Sequence, residues 1–335
     1  MKQFKGFMKG VNLGGWISQF AVYSEEHFST YIQEHDIKRI SEMGFDHVRV
    51  PVDYNVLEDE AGEVIESGYQ HLFDCLNWCK KYGLKMLIDV HEVYGYSFDP
   101  LKDMDRQKFF YDDALQARFF KLWENIASRF GAEHELVAFE LLNEVVLKEV
   151  YEAWNGVAKK AIEHIRAIAP ETSIVVGGVN YNNVTSVALL DAPYDDKIVY
   201  NFHCYDPLIF THQKAYWVPG MPADYEMAYP ASLELYRQES LSYPKEMMGA
   251  IFNEKLSTIG PEYFEVLFEE AIAAVEKYDV PLYCGEYGVI ELAPKADTKR
   301  WLADIHSVFD KHGIGRAIWN YKGKDFGIID SDYGF

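Results

Sequence analysis

The stretch Lys85-Met86-Leu87-Ile88-Asp89-Val90-His91-Glu92 decides the fold. It is an apolar run too short for a helix, and it ends in polar side chains. Continuous apolar runs of this kind suit parallel strands covered on both faces. Just before it, Leu72, Phe73, Leu76 and Cys79 mark one face of a helix over Tyr69–Tyr82. Gly83 then follows, where a C-cap favours a left-handed residue. The same unit recurs along the chain. Strands are expected at Met8–Leu13, His47–Val52, Lys85–His91, Leu136–Asn143, Ser173–Val179, Ile198–His203, Pro281–Glu286 and Arg316–Trp319. Helices are expected at Ile32–Met43, Tyr69–Tyr82, Asp113–Phe130, Val150–Ala169, Pro261–Tyr278 and Thr298–His312. Eight strands alternating with helices point to an α/β protein, a (β/α)8 TIM barrel forming one domain over residues 1–335.

Two features depart from a regular barrel. The segment Cys204–Gly260, rich in Tyr, Pro and Met, reads as a long excursion after strand six. After Trp319 only residues 320–335 remain, leaving a short or missing final helix, so the barrel is sealed another way or the chain is trimmed.

Composition narrows the partners. The chain has 335 residues, with 53 acidic against 32 basic side chains and a net charge of −21. That balance disfavours nucleic acid and anionic membranes, which are gripped by clustered Lys and Arg. No stretch approaches the roughly 20 apolar residues of a transmembrane helix. The aromatic content is 16%, with 24 Tyr, 21 Phe and 7 Trp, which suits neutral, polyhydroxylated ligands. The N-terminal lysines are not followed by a clean apolar core and cleavage site. Cys75, Cys79, Cys204 and Cys284 lack secreted-framework spacing and read as buried free thiols. A cytoplasmic monomer is expected, although a secreted form with its signal removed would look similar. Neither GxGxxG nor GxxxxGK[ST] occurs where a nucleotide fold needs it, and there is no Gly-x-Ser-x-Gly elbow or recognisable cysteine nucleophile.

In such a barrel the site lies at the C-terminal ends of the strands. Those ends carry Arg49, then His91 with Glu92, Asn143 with Glu144, His203 with Tyr205, Glu286 with Tyr287, and Trp319 with Asn320. Two carboxylates converging on one cavity suggest glycoside hydrolysis, which needs a proton donor and a second carboxylate. Glu144 and Glu286 come from strands facing each other across the ring. Arg49 and Tyr205 are placed to hold Glu286 ionised, leaving Glu144 with the raised pKa of an acid/base. His91 and His203 have the residue type of zinc ligands. However, no His-x-His pair follows strand one and no Lys ends strand four, so neither metal nor cofactor is expected.

These residues also carry a resemblance. Gly-Val-Asn-Leu-Gly-Gly-Trp at 10–16, Val-Arg-Val-Pro at 48–51, Asp-Val-His-Glu at 89–92 and Leu-Leu-Asn-Glu at 141–144 come first. Asn-Phe-His-Cys-Tyr at 201–205, Gly-Glu-Tyr-Gly at 285–288 and Ile-Trp-Asn-Tyr at 318–321 complete the ordered set. The chain resembles clan-A glycoside hydrolases of family 5 over about residues 10–328. The resemblance implies Glu144 as acid/base, Glu286 as nucleophile, and Arg49, His91, Asn143, His203, Tyr205 and Trp319 as the other active-site residues, expected to bind substrate. Similarity of Tyr205–Trp217 to members acting on β-glucans adds Trp217 as a sugar platform; His212 lies in the same segment. Trp16 is a third expected ring, and Glu92 an expected substrate contact. The expected activity is retaining hydrolysis of β-1,4-glucan or its oligosaccharides. Exo-acting β-glucosidase, β-1,3-glucanase and mannanase fit the same core residues. A non-catalytic sugar-binding barrel is the alternative of another class, but it has no need of both glutamates.

Overall fold

Eight parallel strands pair in sequence order, and β1 closes on β8. The computed structural model describes all residues except 245–247, 324, 330, 332 and 335. The strands are β1 (Gly10–Asn12), β2 (His47–Asp53), β3 (Lys85–Glu92), β4 (Val137–Glu140), β5 (Ile174–Gly177), β6 (Ile198–Cys204), β7 (Leu282–Tyr287) and β8 (Gly315–Ile318). The helices are α1 (Glu25–Tyr31), α2 (Glu34–Glu42), α3 (Tyr54–Leu57), α4 (Glu66–Tyr82), α5 (Asp113–Phe130), α6 (Tyr151–Arg166), α7 (Leu208–Thr211), α8 (Leu233–Ser240), α9 (Pro261–Tyr278) and α10 (Lys295–His312). Between β5 and β6 a 3-10 turn, Val184–Leu189, stands where a helix would otherwise lie. None of the described helices is long and apolar enough to cross a membrane, and all four cysteines are buried and free.

The two-residue period of a strand sorts side chains between the barrel lumen and the helix layer. Val48, Val50, Met86, Ile88, Phe139 and Phe202 point outward into one apolar shell shared with the helices. Leu87, Ala138, Val175, Val199, Tyr283 and Ala317 form a separate inner cluster with Phe4 and Phe7. That cluster is the floor. Phe4 and Phe7 stack at 4.2 Å, and Phe4 meets Tyr283 edge-on, so residues preceding β1 plug the lumen. Two residues further along the strands stand Asn12, Arg49, Asp89, Glu140 and Asn201, all fully buried. A polar layer therefore lies directly on the apolar floor.

After β8 the described residues form turns rather than a helix. Tyr321 N–H donates to Asn12 O, while Tyr31 Oη donates to Lys322 O. Lys322 Nζ reaches both carboxylate oxygens of Asp36 at 3.0 Å, and Arg39 donates to Ile329 O. The tail is thus fastened across α1 and α2. The excursion after β6 is folded rather than loose: Trp301 Nε1 donates to Asp206 O, and Tyr229 N–H and Oη donate to Asp297 and Asp304 on α10. Helix α1 is absent from the sequence expectation because its seven residues, mostly polar, show no period; Ser24 caps it by accepting from His27 N–H.

Candidate active site

Arg49 is the hub of the polar layer. Its Nε and Nη2 fork onto Glu140 at 2.7 and 2.8 Å. Nη1 donates to Glu286 Oε1 at 2.8 Å and Asn12 Oδ1 at 2.9 Å, and Nη2 to Asn143 Oδ1 at 2.8 Å. Asp89 adds an ion pair at 3.1 Å. Arg49 is fully buried and does not line the cavity, which corrects the expectation that it binds substrate. The reason is its place two residues above the floor, beneath the side chains it holds. Burial pushes Asp89 and Glu140 up to about 7 even against the guanidinium, and the charge of Asp89 adds to the rise at Glu140. Replacing Arg49 by Met should lower unfolding free energy by about 3–5 kcal/mol, read by urea denaturation. Adding Glu140→Gln should restore part of that loss. An unchanged midpoint for Arg49→Met would mean the carboxylates need no counter-charge.

A cavity of about 870 Å³ opens above this layer. Every strand contributes to its wall: Gly14, Asp53, His91, Glu144, Asn180, His203, Glu286 and Trp319 follow or end β1 to β8 in turn. Glu286 reaches it because β7 breaks register against β6 and β8 around Gly285, and a bulge re-aims the next side chain. A Cβ on Gly285 would lie 2.9 Å from the Asn201 amide and 3.1 Å from His203 Nε2. Its peptide is held from both sides, by Asn201 Oδ1 accepting at 2.8 Å and Asn12 Nδ2 donating at 2.9 Å.

Glu144, His203 and Glu286 bring oxygen and nitrogen atoms within 4.8 Å of one another. Tyr205 Oη donates to Glu286 Oε2 at 2.9 Å, and His203 Nδ1 shares a 2.8 Å hydrogen bond with Glu144 Oε1. By distance alone this trio could ligate a cation. Both oxygens of Glu286 and one of Glu144 are already engaged by protein groups, so we assign it no metal. Glu144 is held well above the usual carboxylate range by burial and then by the charge of Glu286. Burial raises Glu286 too, but Arg49 and the Tyr205 hydroxyl pull the other way. Glu144 is therefore the carboxyl that keeps its proton to higher pH.

His91 bonds Asp89 through Nδ1 at 2.6 Å and stacks parallel to Trp319, 5.8 Å between rings. Burial lowers it to about 3, so it is neutral, and its Nε2 has no partner among the described residues. Asn143 Nδ2 is likewise buried and unbonded. Trp319 and Trp217 line the cavity, as do Tyr205 and His212. Glu92 lines it as well, pinned by Ser97 at 2.5 Å and by Lys102. Trp16 does not: it is 1% exposed, with Nε1 donating to Phe28 O at 2.7 Å. The expectation of a sugar platform there is corrected, because α1 covers the indole.

Sequence reasoning missed Asp89, Glu140, Asn12 and Asn201, although polar residues at inward positions of apolar strands were a usable signal. It also missed Phe326 and Tyr181, which turns bring to the wall. Asn180, Tyr181 and Asn182 adopt φ of 55°, 58° and 52° in succession. Left-handed backbone costs a non-glycine residue roughly 1–2 kcal/mol, and Asn tolerates it better than Tyr. Three bonds hold the turn: Tyr181 N–H to Val145 O, His203 N–H to Asn182 O, and Gly178 N–H to Asn182 Oδ1.

A family model described as cellulase (glycosyl hydrolase family 5) matches residues 8–325. The chain belongs to this family. Among family relatives, cellodextrinase A of Ruminococcus flavefaciens is 43% identical over 316 residues, spanning 94% of this chain and 86% of that one. Endoglucanase C of Acetivibrio thermocellus is 41% identical over 330 residues, spanning 97% and 94%. In structure, Thermotoga maritima Cel5A solved with cellobiose substrate superposes with a TM-score of 0.77 at 22% identity, covering 97% and 92%, which supports the barrel. This family 5 chain is a glycoside hydrolase.

Proposed function

We propose that this family 5 chain is a retaining endo-β-1,4-glucanase acting on β-1,4-glucan and its oligosaccharides. The observation that carries the reading is the spacing of Glu144 and Glu286, with carboxylate oxygens within 4.8 Å. Retaining enzymes hold the two groups about 5–5.5 Å apart, whereas inverting ones leave about 6.5–9.5 Å for a water. Glu286 attacks the anomeric carbon while Glu144 gives its proton to the departing sugar oxygen. Glu144 then takes a proton from water, which displaces Glu286 from the same carbon. Neutral His91 and the free amide of Asn143 bond hydroxyls of the reacting sugar, and Trp319 stacks on its ring. Glucan as substrate and endo-action are supported by relatives named endoglucanase and cellodextrinase.

The test is a product profile on cello-, laminari- and manno-oligomers, with proton NMR of the first-formed anomer. We expect internal cleavage of cello-oligomers with initial release of the β-anomer. Initial α-anomer would overturn retention, and preferred cleavage of manno- or laminari-oligomers would overturn the substrate.

A further inference from the structure

We propose that Phe326, on the turns after β8, is a positioning residue for the nucleophile: its ring wedges the Tyr205 phenol toward Glu286. The inference rests on the reading of Glu286 as the attacking group of a glucanase. Phe326 is 6% exposed and lies against three rings from the segment after β6. Its centroid stands 5.5 Å from Tyr205, 5.2 Å from His212 and 6.5 Å from Trp217, at interplanar angles of 62°, 59° and 51°. All four rings line the cavity. His212 in turn meets Tyr205 edge-on at 5.1 Å and Trp217 at 6.1 Å. Tilted contacts of this kind fix the direction of a ring as well as burying it.

What the wedge has to fix is narrow. Thr211 Oγ1 donates to Tyr205 O, so the backbone there is already held. Among the described residues the Tyr205 hydroxyl bonds only Glu286, at 2.9 Å. A swing of the phenol away from Glu286 is therefore opposed by ring packing, and His212 and Phe326 are the rings that touch it. Phe326 is itself anchored from two sides. Its carbonyl accepts from Asn320 N–H at 3.2 Å, and the neighbouring Asp325 carbonyl accepts from Glu291 N–H at 3.2 Å. Ile290 N–H donates to Thr211 O at 2.9 Å, so the loops after β6, β7 and β8 make one bonded block around the ring. Gly288, two residues beyond the nucleophile, permits the approach. A Cβ there would lie 3.3 Å from the Phe326 ring and 2.6 Å from Trp319 O. Burial raises Glu286, and the Tyr205 hydroxyl is one of the groups that pull it back. A phenol that swings free withdraws that pull, and Glu286 then ionises only at higher pH.

The test is the pH dependence of kcat/KM on cellotetraose in wild type, Phe326→Ala, Phe326→Leu, Tyr205→Phe and the double variant Phe326→Ala/Tyr205→Phe. Phe326→Ala should move the acid limb up by about one pH unit, a loss of about tenfold below the limb. Phe326→Leu, which keeps most of the bulk, should move it less. Tyr205→Phe should shift the limb by itself, and adding Phe326→Ala should move it no further. A ring that served only the core would lower the unfolding temperature and leave the limb in place. A limb unmoved in Phe326→Ala, or moved further in the double variant, overturns the positioning role. If Phe326→Ala does not fold, Phe326→Leu decides in the same way, with and without Tyr205→Phe. Wild-type enzyme inert toward cellotetraose overturns the glucanase reading, and the positioning role with it.

Discussion

Replacing Glu286 by Gln should lower turnover of cello-oligosaccharides by on the order of 10⁵-fold while leaving the fold and substrate binding in place. The substitution keeps volume and removes only the charge that forms the bond to the anomeric carbon. The amide oxygen can still accept from Arg49 Nη1, and the Tyr205 hydroxyl can turn to accept from the new NH2, so both contacts survive in altered polarity. Glu140 continues to accept two bonds from the same guanidinium. Thermal unfolding and calorimetric titration with cellotetraose should therefore stay close to wild type. Turnover within tenfold of wild type would remove Glu286 from the nucleophile role and revive a sugar-binding barrel.

Glu144→Gln should cost about 10²–10⁴-fold on oligosaccharides, with a loss that depends on the leaving group. β-Cellobiosyl fluoride needs no proton to depart, so its first step should survive and the glycosyl-enzyme should accumulate. Added azide, which needs no general base, should release it as β-cellobiosyl azide. The pH dependence has a definite sign. Glu144 must be protonated, and its folded pKa is raised, so wild-type activity falls on the alkaline side as that proton is lost. Glu286 must be ionised, so activity falls on the acid side. The two titrate as a coupled pair, and the limbs belong to the pair. In the variant only the acid limb should remain. An alkaline limb that persists in Glu144→Gln would assign it to another group.

The barrel was legible because its strands are buried on both faces, and β2, β3, β6 and β7 therefore stand out as apolar runs. The rim was legible for the complementary reason: His91, Glu144, His203, Glu286 and Trp319 interrupt apolar sequence where strands end. Trp16 misled because Gly-Gly-Trp after β1 suggests an open loop. The helix that covers it is seven residues long and announces itself only by the Ser24 cap. Arg49 was correctly paired with Glu286 but wrongly given to substrate, since depth within a lumen depends on register between strands. Tyr181 and Phe326 were hidden for another reason. Turns set their direction, and a left-handed Tyr leaves no mark in composition or period.

The polar layer beneath the cavity joins β1 through Asn12, β2 through Arg49, β3 through Asp89, β4 through Glu140, β6 through Asn201 and β7 through Glu286. Strands far apart in the chain thus share one set of charges, and the nucleophile is the last link in it. A barrel gaping at the β1–β8 seam would keep Asn12 with Arg49, since β1 pairs with β2, but would draw both away from β7. The Gly285 peptide would then lose Asn12, and Glu286 would lose the guanidinium that aims and ionises it. Ring closure therefore sets the aim of the nucleophile, and an incompletely assembled barrel should be silent toward substrate.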